Sequence, residues 1–157
     1  MVFEPLAMTH TTLDDGSARG FEADEKSDHF HVAPVVDNSY KWAGGGVVST
    51  AEDVVKFGSA HLATGRLTQR SLDLLFTSMK TADGKQTDYG AGRDVDVDPR
   101  GRRIVSHFGS AVGGTARLAV DRDSHVVAAL LTNVTNSDRI GKALAATWPE
   151  ILRLFDQ

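Results

Sequence analysis

The chain has 157 residues, a formal net charge of −4 and no cysteine, and 41% of its residues are hydrophobic. This length fits one domain on the usual scale of roughly 100–200 residues per domain. The missing cysteines exclude disulfides, a thiolate nucleophile and a cysteine zinc site. No run approaches the ~20 apolar residues of a membrane span. Residues 1–10 also lack the basic start and apolar stretch of a signal peptide.

The negative charge is concentrated in one segment, residues 14–28, which holds six acids and two bases. The 15 acids and 15 bases in the rest of the chain cancel. A neutral body offers no electrostatic attraction to nucleic acid or to an anionic membrane. We therefore expect neither as a partner.

Residues 9–48 are predicted to form a long loop region. They are rich in Thr, Asp, Gly, Ser and His and show no sustained period of 2 or 3.6. Connections of this length are uncommon inside a compact domain. We expect either a functional loop or a segment that packs against another part of the protein.

Residues 49–80 are predicted to be helical. Ser49 to Glu52 reads as a capping box, which predicts a first helix over about residues 50–63. Thr68 then caps a short second helix that ends near Ser78. Leu67 and Leu72 flank that cap at the spacing of a hydrophobic staple.

Residues 86–157 are predicted to form an antiparallel sheet and a closing helix. Alternation of apolar and polar residues, regular in some segments and approximate in others, predicts strands over residues 89–97, 102–108, 115–121 and 125–133. Apolar residues at steps of three and four from Ile140 to Phe155 then predict an amphipathic helix on that sheet, with a kink or break beside Pro149. The predicted fold class is α+β, with residues 1–157 as a single segment.

The segment Ser106-His107-Phe108-Gly109-Ser110 is the strongest candidate for chemistry. A basic group and a glycine at a strand end present a side chain and backbone N–H groups to a molecule beside the strand. These are parts that an acyl-transfer site requires. The alternative is a glycine-softened strand end with an ordinary half-buried histidine.

Other polar clusters are weaker candidates. His29 and His31 lie near Asp24 and Asp28, but without the spacing of a metal site, so a solvated loop is predicted there. The triple glycine at residues 44–46 lacks the Gly-Lys-Ser/Thr ending of a phosphate loop. We expect no metal and no cofactor.

Four motifs in order resemble the serine β-lactamase and penicillin-binding protein superfamily, in its class C, D-alanyl-D-alanine carboxypeptidase and esterase branch. FEPLAMTHT (residues 3–11) resembles the family's PLGM segment, and AGGGVVSTAED (residues 43–53) followed by Phe57 resembles its helix entry. His107 to Ser110 resembles the third motif, Lys-Thr-Gly or His-Thr/Ser-Gly. VDNSYKWAGGG (residues 36–46) is most similar to the mitochondrial serine β-lactamase-like branch and its bacterial relatives.

The resemblance implies a mechanism in which an amide or ester acylates a serine. It assigns the Ser110 backbone N–H to the oxyanion hole and His107 to substrate orientation and proton transfer. Phe108 and Gly109 would contact substrate. Phe108 replaces a small hydroxyl residue that binds a substrate carboxylate in the family, so the resemblance does not extend to recognition of carboxylates and β-lactams.

The nucleophile motif of the family is absent. No serine in the chain is followed three residues later by lysine, and neither tyrosine begins a Tyr-x-Asn motif. Thr77-Ser78-Met79-Lys80 gives only a Thr-x-x-Lys spacing. We therefore expect the C-terminal half of the family's fold, inactive alone, with an N-terminal half as partner.

The sequence is consistent with two functions. The first is the C-terminal part of a serine hydrolase that acts on a small-molecule or peptide acyl substrate. The second is a non-catalytic binding or assembly module that uses the same groove for a peptide, cell-wall fragment or protein. Self-association through an exposed sheet edge is also expected. The family points to a bacterial envelope or an organelle, but the chain carries no targeting signal of its own.

Overall fold

A computed structural model of the chain describes residues 2–24, 26–97, 101–135 and 137–154. Two 3₁₀ helices span Glu4–Leu6 and Ser39–Lys41. The remaining elements, in chain order, are β1 (Thr12–Leu13), β2 (Phe21–Ala23), β3 (Phe30–Val32), α1 (Trp42–Gly45), β4 (Val47–Val48), α2 (Ala51–Ser59), α3 (Gln69–Leu75), β5 (Asp94–Val97), β6 (Arg103–Ala111), β7 (Gly114–Asp121), β8 (Val126–Thr132) and α4 (Asp138–Arg153). No described helix is long and apolar enough to cross a membrane.

The predicted α+β class is confirmed. Helices α1, α2 and α3 precede a four-stranded sheet of order β5-β6-β7-β8, and α4 follows it. β5 and β6 pair antiparallel from Asp94↔Ser106 to Val97↔Arg103. Each connection between neighbouring strands is short, as expected where sequential strands lie side by side.

The predicted cap of α3 is confirmed, whereas that of α2 is wrong by one residue. Thr68 is the N-cap of α3, and its hydroxyl accepts from the Ser71 backbone N–H at 3.2 Å. The first turn of α2 begins at Ala51, so Thr50 flanks it. The Ser49 hydroxyl instead lies 2.8 Å from the Thr11 hydroxyl, because β1 pairs with β4 and brings these two residues together.

Residues 9–48 contain more regular structure than a loop. β1 pairs with β4 through Thr12↔Val48, and β2 pairs with β3 through Phe21↔Val32. Strands of two or three residues are too short to show a period in the sequence, which explains why none was detected.

Two features in the second half differ from prediction, and a third lies mostly outside the described residues. The strand predicted from residue 89 begins only at Asp94, because Gly92 adopts a φ of +79° and turns the chain. Of the turn predicted at residues 98–101, only Gly101 lies within the described residues. α4 runs without a break through residue 149, so, of the kink or break expected there, the break is wrong. One missing backbone bond is offset by those of the flanking turns.

The chain divides into two compact units, which we call the first unit and the second unit. The first comprises residues 1–8, 52–107 and 117–129, and the second comprises residues 9–51, 108–116 and 130–157. The core of the first unit is built from buried Phe76, Val95, Val105 and Val120. Leu62, Leu75, Leu118 and Val127 pack around them.

Helix α2 approaches the strands of the first unit through Gly58. A Cβ on Gly58 would lie 2.5 Å from Val127 Cγ1 and 3.0 Å from Leu118 Cδ1. Val127 is β-branched and stiff at χ1, so it can move little. The absence of a side chain at Gly58 therefore sets the helix-to-sheet distance.

We predict that Gly58→Ala destabilises the protein by about 1–3 kcal/mol through overpacking, despite the better helix propensity of alanine. Urea denaturation measures the change. Gly44→Ala is the matched control, since a Cβ there meets nothing within 4 Å. Equal stability of Gly58→Ala and wild type would contradict the close packing.

A cluster of the buried His61 and Arg93 with the half-buried Phe57 also stabilises the first unit. His61 Nδ1 donates to the Gly58 carbonyl at 3.2 Å, and Nε2 accepts from Arg93 Nη2 at 3.1 Å. The His61 and Phe57 rings meet edge to face at 4.9 Å, and the Arg93 guanidinium lies 5.7 Å from the Phe57 ring centroid. Burial, and then the Arg93 charge, lower the pKa of His61.

His61 should therefore make stability depend on pH. A histidine whose pKa is lower in the folded state stabilises the fold fully above its unfolded pKa of 6.5, and this contribution is lost as pH falls below that value. We predict that the free energy of unfolding decreases between about pH 7.5 and about pH 5, and that this decrease is smaller in His61→Gln.

Urea midpoints at the two pH values measure the effect. His29→Gln is the control, because His29 is exposed. Identical pH dependence in His61→Gln and wild type would contradict the assignment.

Candidate functional site

The four predicted site residues lie consecutively on β6. The sequence placed them at a strand end near Phe108, but the strand continues to Ala111. His107, Phe108 and Ser110 are exposed, and 41% of the Phe108 surface is accessible. Gly109 remains extended, and a Cβ there would meet nothing within 4 Å, so this glycine does not end the strand.

Side chains alternate between the two faces of a strand, and this separates the predicted residues. His107 shares a face with Val105, which is fully buried. Phe108 and Ser110 share the other face. His107 and Phe108 therefore present their side chains in opposite directions. The four residues do not share one face of the sheet; they share only their position along β6.

The direction of the backbone groups along β6 follows from hydrogen bonds on β5. The Val95 N–H donates to the Asp88 carbonyl at 2.9 Å, so the polar groups of Val95 face away from β6. In an antiparallel ladder this makes Asp94 and Ser106 the pair that exchanges hydrogen bonds. Ser106 thus directs its N–H and C=O toward β5.

Backbone groups point to the same side at every second residue of a strand. Phe108 and Ser110 therefore direct their N–H and C=O to the side that Ser106 presents to β5. The β5 ladder ends at Asp94↔Ser106, so β5 does not extend alongside these two residues.

Arg117, on the neighbouring strand β7, is a cation that the sequence analysis missed. Burial lowers its pKa, and the charges of Asp96 and Asp94 act in the opposite direction. Its signal in the sequence was an arginine between the apolar Ala116 and Leu118, a position that alternation alone describes as solvent-facing.

Lys56 holds the N-terminal segment against α2 within the first unit. Its Nζ lies 2.8 Å from the carboxylate of the fully buried Asp53 and donates to the Ala7 carbonyl at 3.0 Å. Hydrogen bonds to Asp53 and Glu52 raise the pKa of Lys56. Two of the matched motifs, residues 3–11 and 43–53, are thus joined through one ammonium group.

The second unit contains a cavity of about 400 Å³ that the sequence analysis did not predict. Ala111 to Gly114, directly after the β6 motif, form one wall. Asp14 and Asn38 lie on another wall, where Asn38 Nδ2 donates to Asp14 Oδ2 at 2.6 Å. No sequence signal connects these two residues, because they are 24 positions apart in a region without periodicity.

Thr77 and Lys80 do not form a nucleophile pair. α3 ends at Leu75, before either residue, and the Thr77 hydroxyl donates to the Asp73 carbonyl at 2.6 Å. Neither residue is buried. The described part of the chain also holds no cluster of three or more His, Cys, Asp or Glu residues suited to a metal ion.

Solved structures share this fold. A D-stereospecific amidohydrolase from Streptomyces superposes with a TM-score of 0.65 at 21% identity, over 90% of this chain and 45% of that chain. An octameric penicillin-binding protein homologue from Pyrococcus abyssi gives 0.66 at 20% identity, over 84% and 32%. The fold is therefore that of the β-lactamase and penicillin-binding protein class.

The sequence comparisons identify the family. Residues 1–150 match the Beta-lactamase family, and the chain belongs to it. The mouse serine β-lactamase-like protein LACTB, mitochondrial, is 30% identical over 118 aligned positions, which cover 55% of this chain and 20% of that protein. The chain thus spans about a fifth of the length of this curated relative. The predicted resemblance to the serine β-lactamase superfamily is confirmed.

The absence of Ser-x-x-Lys predicts that the 157-residue chain forms no acyl-serine adduct. Incubation with a fluorescent penicillin and with a fluorophosphonate should leave its intact mass unchanged. A serine hydrolase of the same superfamily serves as the positive control. A stoichiometric serine adduct on this chain would contradict the prediction.

Proposed function

We propose that this chain supplies the third-motif strand and one oxyanion-hole amide of an acyl-serine hydrolase, and that another polypeptide segment supplies the nucleophile. The observation that carries the proposal is the end of the β5 ladder at Ser106, which leaves the backbone of Phe108 and Ser110 directed beyond β5. The chain's membership of the Beta-lactamase family supports the reaction type.

In the proposed reaction, a serine hydroxyl passes its proton to a base on the same partner segment, and its oxygen attacks the carbonyl carbon of an amide or ester. The carbonyl π electrons move to oxygen, and the Ser110 N–H donates a hydrogen bond to the resulting oxyanion. Collapse of this intermediate expels the amine or alcohol, which takes up a proton, and leaves an acyl-serine that water hydrolyses. One such donor is typically worth about 2.7–4 kcal/mol in the transition state.

His107 is proposed to orient the substrate and to assist proton transfer. It is exposed on β6, three residues before Ser110, and so has access to a molecule beside the strand. An imidazole ring has one nitrogen that donates and one that accepts a hydrogen bond, as proton transfer requires.

Phe108 bears on the substrate class. Its exposed ring offers apolar surface and no hydrogen bond. We propose that the preferred substrates lack the carboxylate that β-lactams and peptide C-termini present near this position, which favours neutral amides and esters.

The proposed partner is the N-terminal half of the same fold, which would carry Ser-x-x-Lys and Tyr-x-Asn. Support comes from apolar side chains on the second unit, where Val35 is 88% exposed and Tyr40 is 81% exposed. Apolar surface of this kind commonly marks a contact with another polypeptide. The same surface supports the second candidate, a binding or assembly module, and the proposal of self-association.

The decisive experiment reconstitutes the two halves. We predict that co-expression with a segment bearing Ser-x-x-Lys and Tyr-x-Asn yields hydrolysis of a p-nitrophenyl ester, and that His107→Ala lowers kcat/KM about tenfold or more. The matched control is His29→Ala, which removes an exposed histidine from the second unit.

The outcome separates the candidates. If the associated halves never hydrolyse an ester or amide, the hydrolase proposal is overturned in favour of the binding module. If hydrolysis occurs but His107→Ala and His29→Ala behave alike, the role of His107 is wrong. Light scattering of the chain alone reports self-association, and a monodisperse monomer would exclude it.

A further inference from the structure

We propose that the chain modifies itself at Asp15–Gly16, where the Gly16 backbone nitrogen attacks the Asp15 side chain and an isoaspartyl linkage forms. This inference is independent of the proposed function. Three observations on the second unit carry it: the exposure of the dipeptide, the acceptor of the Gly16 N–H and the donor to the Asp15 carboxyl group.

The sequence holds two Asp–Gly dipeptides, Asp15–Gly16 and Asp83–Gly84. Glycine has no Cβ, so its nitrogen is open to the carboxyl carbon of the preceding side chain. All four residues are exposed, and a Cβ on either glycine would meet nothing within 4 Å. Access therefore does not distinguish the two dipeptides, whereas their hydrogen bonds do.

The hydrogen bonds around Asp15–Gly16 favour the attack. The Gly16 N–H donates to Asp14 Oδ1 at 2.9 Å, and a carboxylate is a base that can take the proton which the nitrogen must lose. The Ser17 N–H donates to Asp15 Oδ1 at 2.9 Å. This donor stabilises the negative charge that develops on the oxygen when the nitrogen adds to Cγ.

Contacts outside the dipeptide fix the position of Asp14. Its N–H donates to the Gly46 carbonyl at 2.8 Å, and its Oδ2 accepts from Nδ2 of the buried Asn38 at 2.6 Å. Residues 15–19, in contrast, form no backbone–backbone hydrogen bond with any described residue. The base is therefore held in place, while the dipeptide beside it can move toward the geometry of attack.

The second dipeptide, Asp83–Gly84, is held in an unreactive arrangement. The Gly84 N–H donates to the Thr81 carbonyl at 2.9 Å, and a carbonyl is a far weaker base than a carboxylate. The Thr81 N–H donates to the Lys85 carbonyl at 2.9 Å and closes the turn. Asp83 Oδ1 also accepts from the Thr81 hydroxyl and from the Lys85 N–H. The carboxyl group is thus fixed, and no base contacts the attacking nitrogen.

The reaction needs only water as a co-reactant. The Gly16 nitrogen bonds to Cγ of the protonated Asp15 side chain, its proton passes to the Asp14 carboxylate, and the Cγ–OH group leaves with that proton as water. The product is a cyclic imide. A second water adds OH to the main-chain carbonyl carbon of Asp15 and H to the nitrogen, so the bond between these two atoms breaks. The nitrogen remains bonded to Cγ, which is the isoaspartyl linkage.

The product differs from the original chain in its backbone. It has one more carbon in the main chain at residue 15 and a free α-carboxylate there. Asp14 and Gly16, on either side, both line the cavity of the second unit. The modification therefore changes the wall of that cavity, while the mass of the chain returns to its original value.

The test measures isoaspartate at the two dipeptides in the folded 157-residue chain, incubated at physiological temperature. Trypsin separates them into the peptides of residues 1–19 and 81–85. Chromatography of each peptide, with radiolabelled methylation by an isoaspartyl methyltransferase, quantifies the product. We expect isoaspartate to accumulate at Asp15 at least about tenfold faster than at Asp83.

The same measurement in concentrated urea separates structure from local sequence. Urea removes the hydrogen bonds of the folded state, so the two rates should become similar. Equal rates at Asp15 and Asp83 in the folded chain would overturn the inference. A tenfold difference that persists unchanged in urea would overturn it as well, because the fold would then play no part.

A pair of variants tests the base. Asp14→Asn keeps an oxygen that accepts from the Gly16 N–H but removes the base, and should slow the reaction at residue 15 about tenfold. Asp37→Asn is the matched control, since this exposed carboxylate likewise accepts from a backbone N–H, that of Ser39 at 2.9 Å. Equal rates in the two variants would overturn the role of Asp14. The comparison of dipeptides in the wild-type chain decides the proposal even if Asp14→Asn does not fold.

Discussion

The length of the β5 ladder is the constraint on which the candidate site depends. β5 pairs with β6 over four residue pairs and ends at Asp94↔Ser106, where Gly92 turns the chain away. β6 continues for five more residues, to Ala111. One strand therefore serves as a core element, through Val105, and carries the edge that we propose for the substrate. A longer β5 would have stabilised the sheet and closed this edge.

The packing of α2 shows how a single small residue sets the geometry of the first unit. Gly58 allows the helix to approach Leu118, Val120 and Val127, which belong to the two strands beyond β6. The buried Arg93 guanidinium lies just before β5 and is held by His61 from the same helical region. The start of β5, and hence the last pair of its ladder, is thus tied to the core.

The sequence patterns predicted correctly those features that depend on residues close together in the chain. The Thr68 cap, the alternation of β6 to β8 and the closing helix α4 follow from hydrogen bonds and side-chain periods within a few residues. The order of motifs predicted the family, which the match over residues 1–150 confirms. The short ladders of residues 9–48 were missed, because two-residue strands have no period, and Ser49 was assigned to the wrong cap because its partner, Thr11, is 38 positions away.

The sequence by itself determined the fold class, the family and the absence of a Ser-x-x-Lys nucleophile, because each is a property of residue types in order. It also named His107 to Ser110 as the candidate motif. Only the tertiary structure decided that the β5–β6 ladder ends at Asp94↔Ser106 and that Asp14 and Asn38 meet in one cavity. These depend on register, turns and contacts between distant residues, which no local pattern specifies.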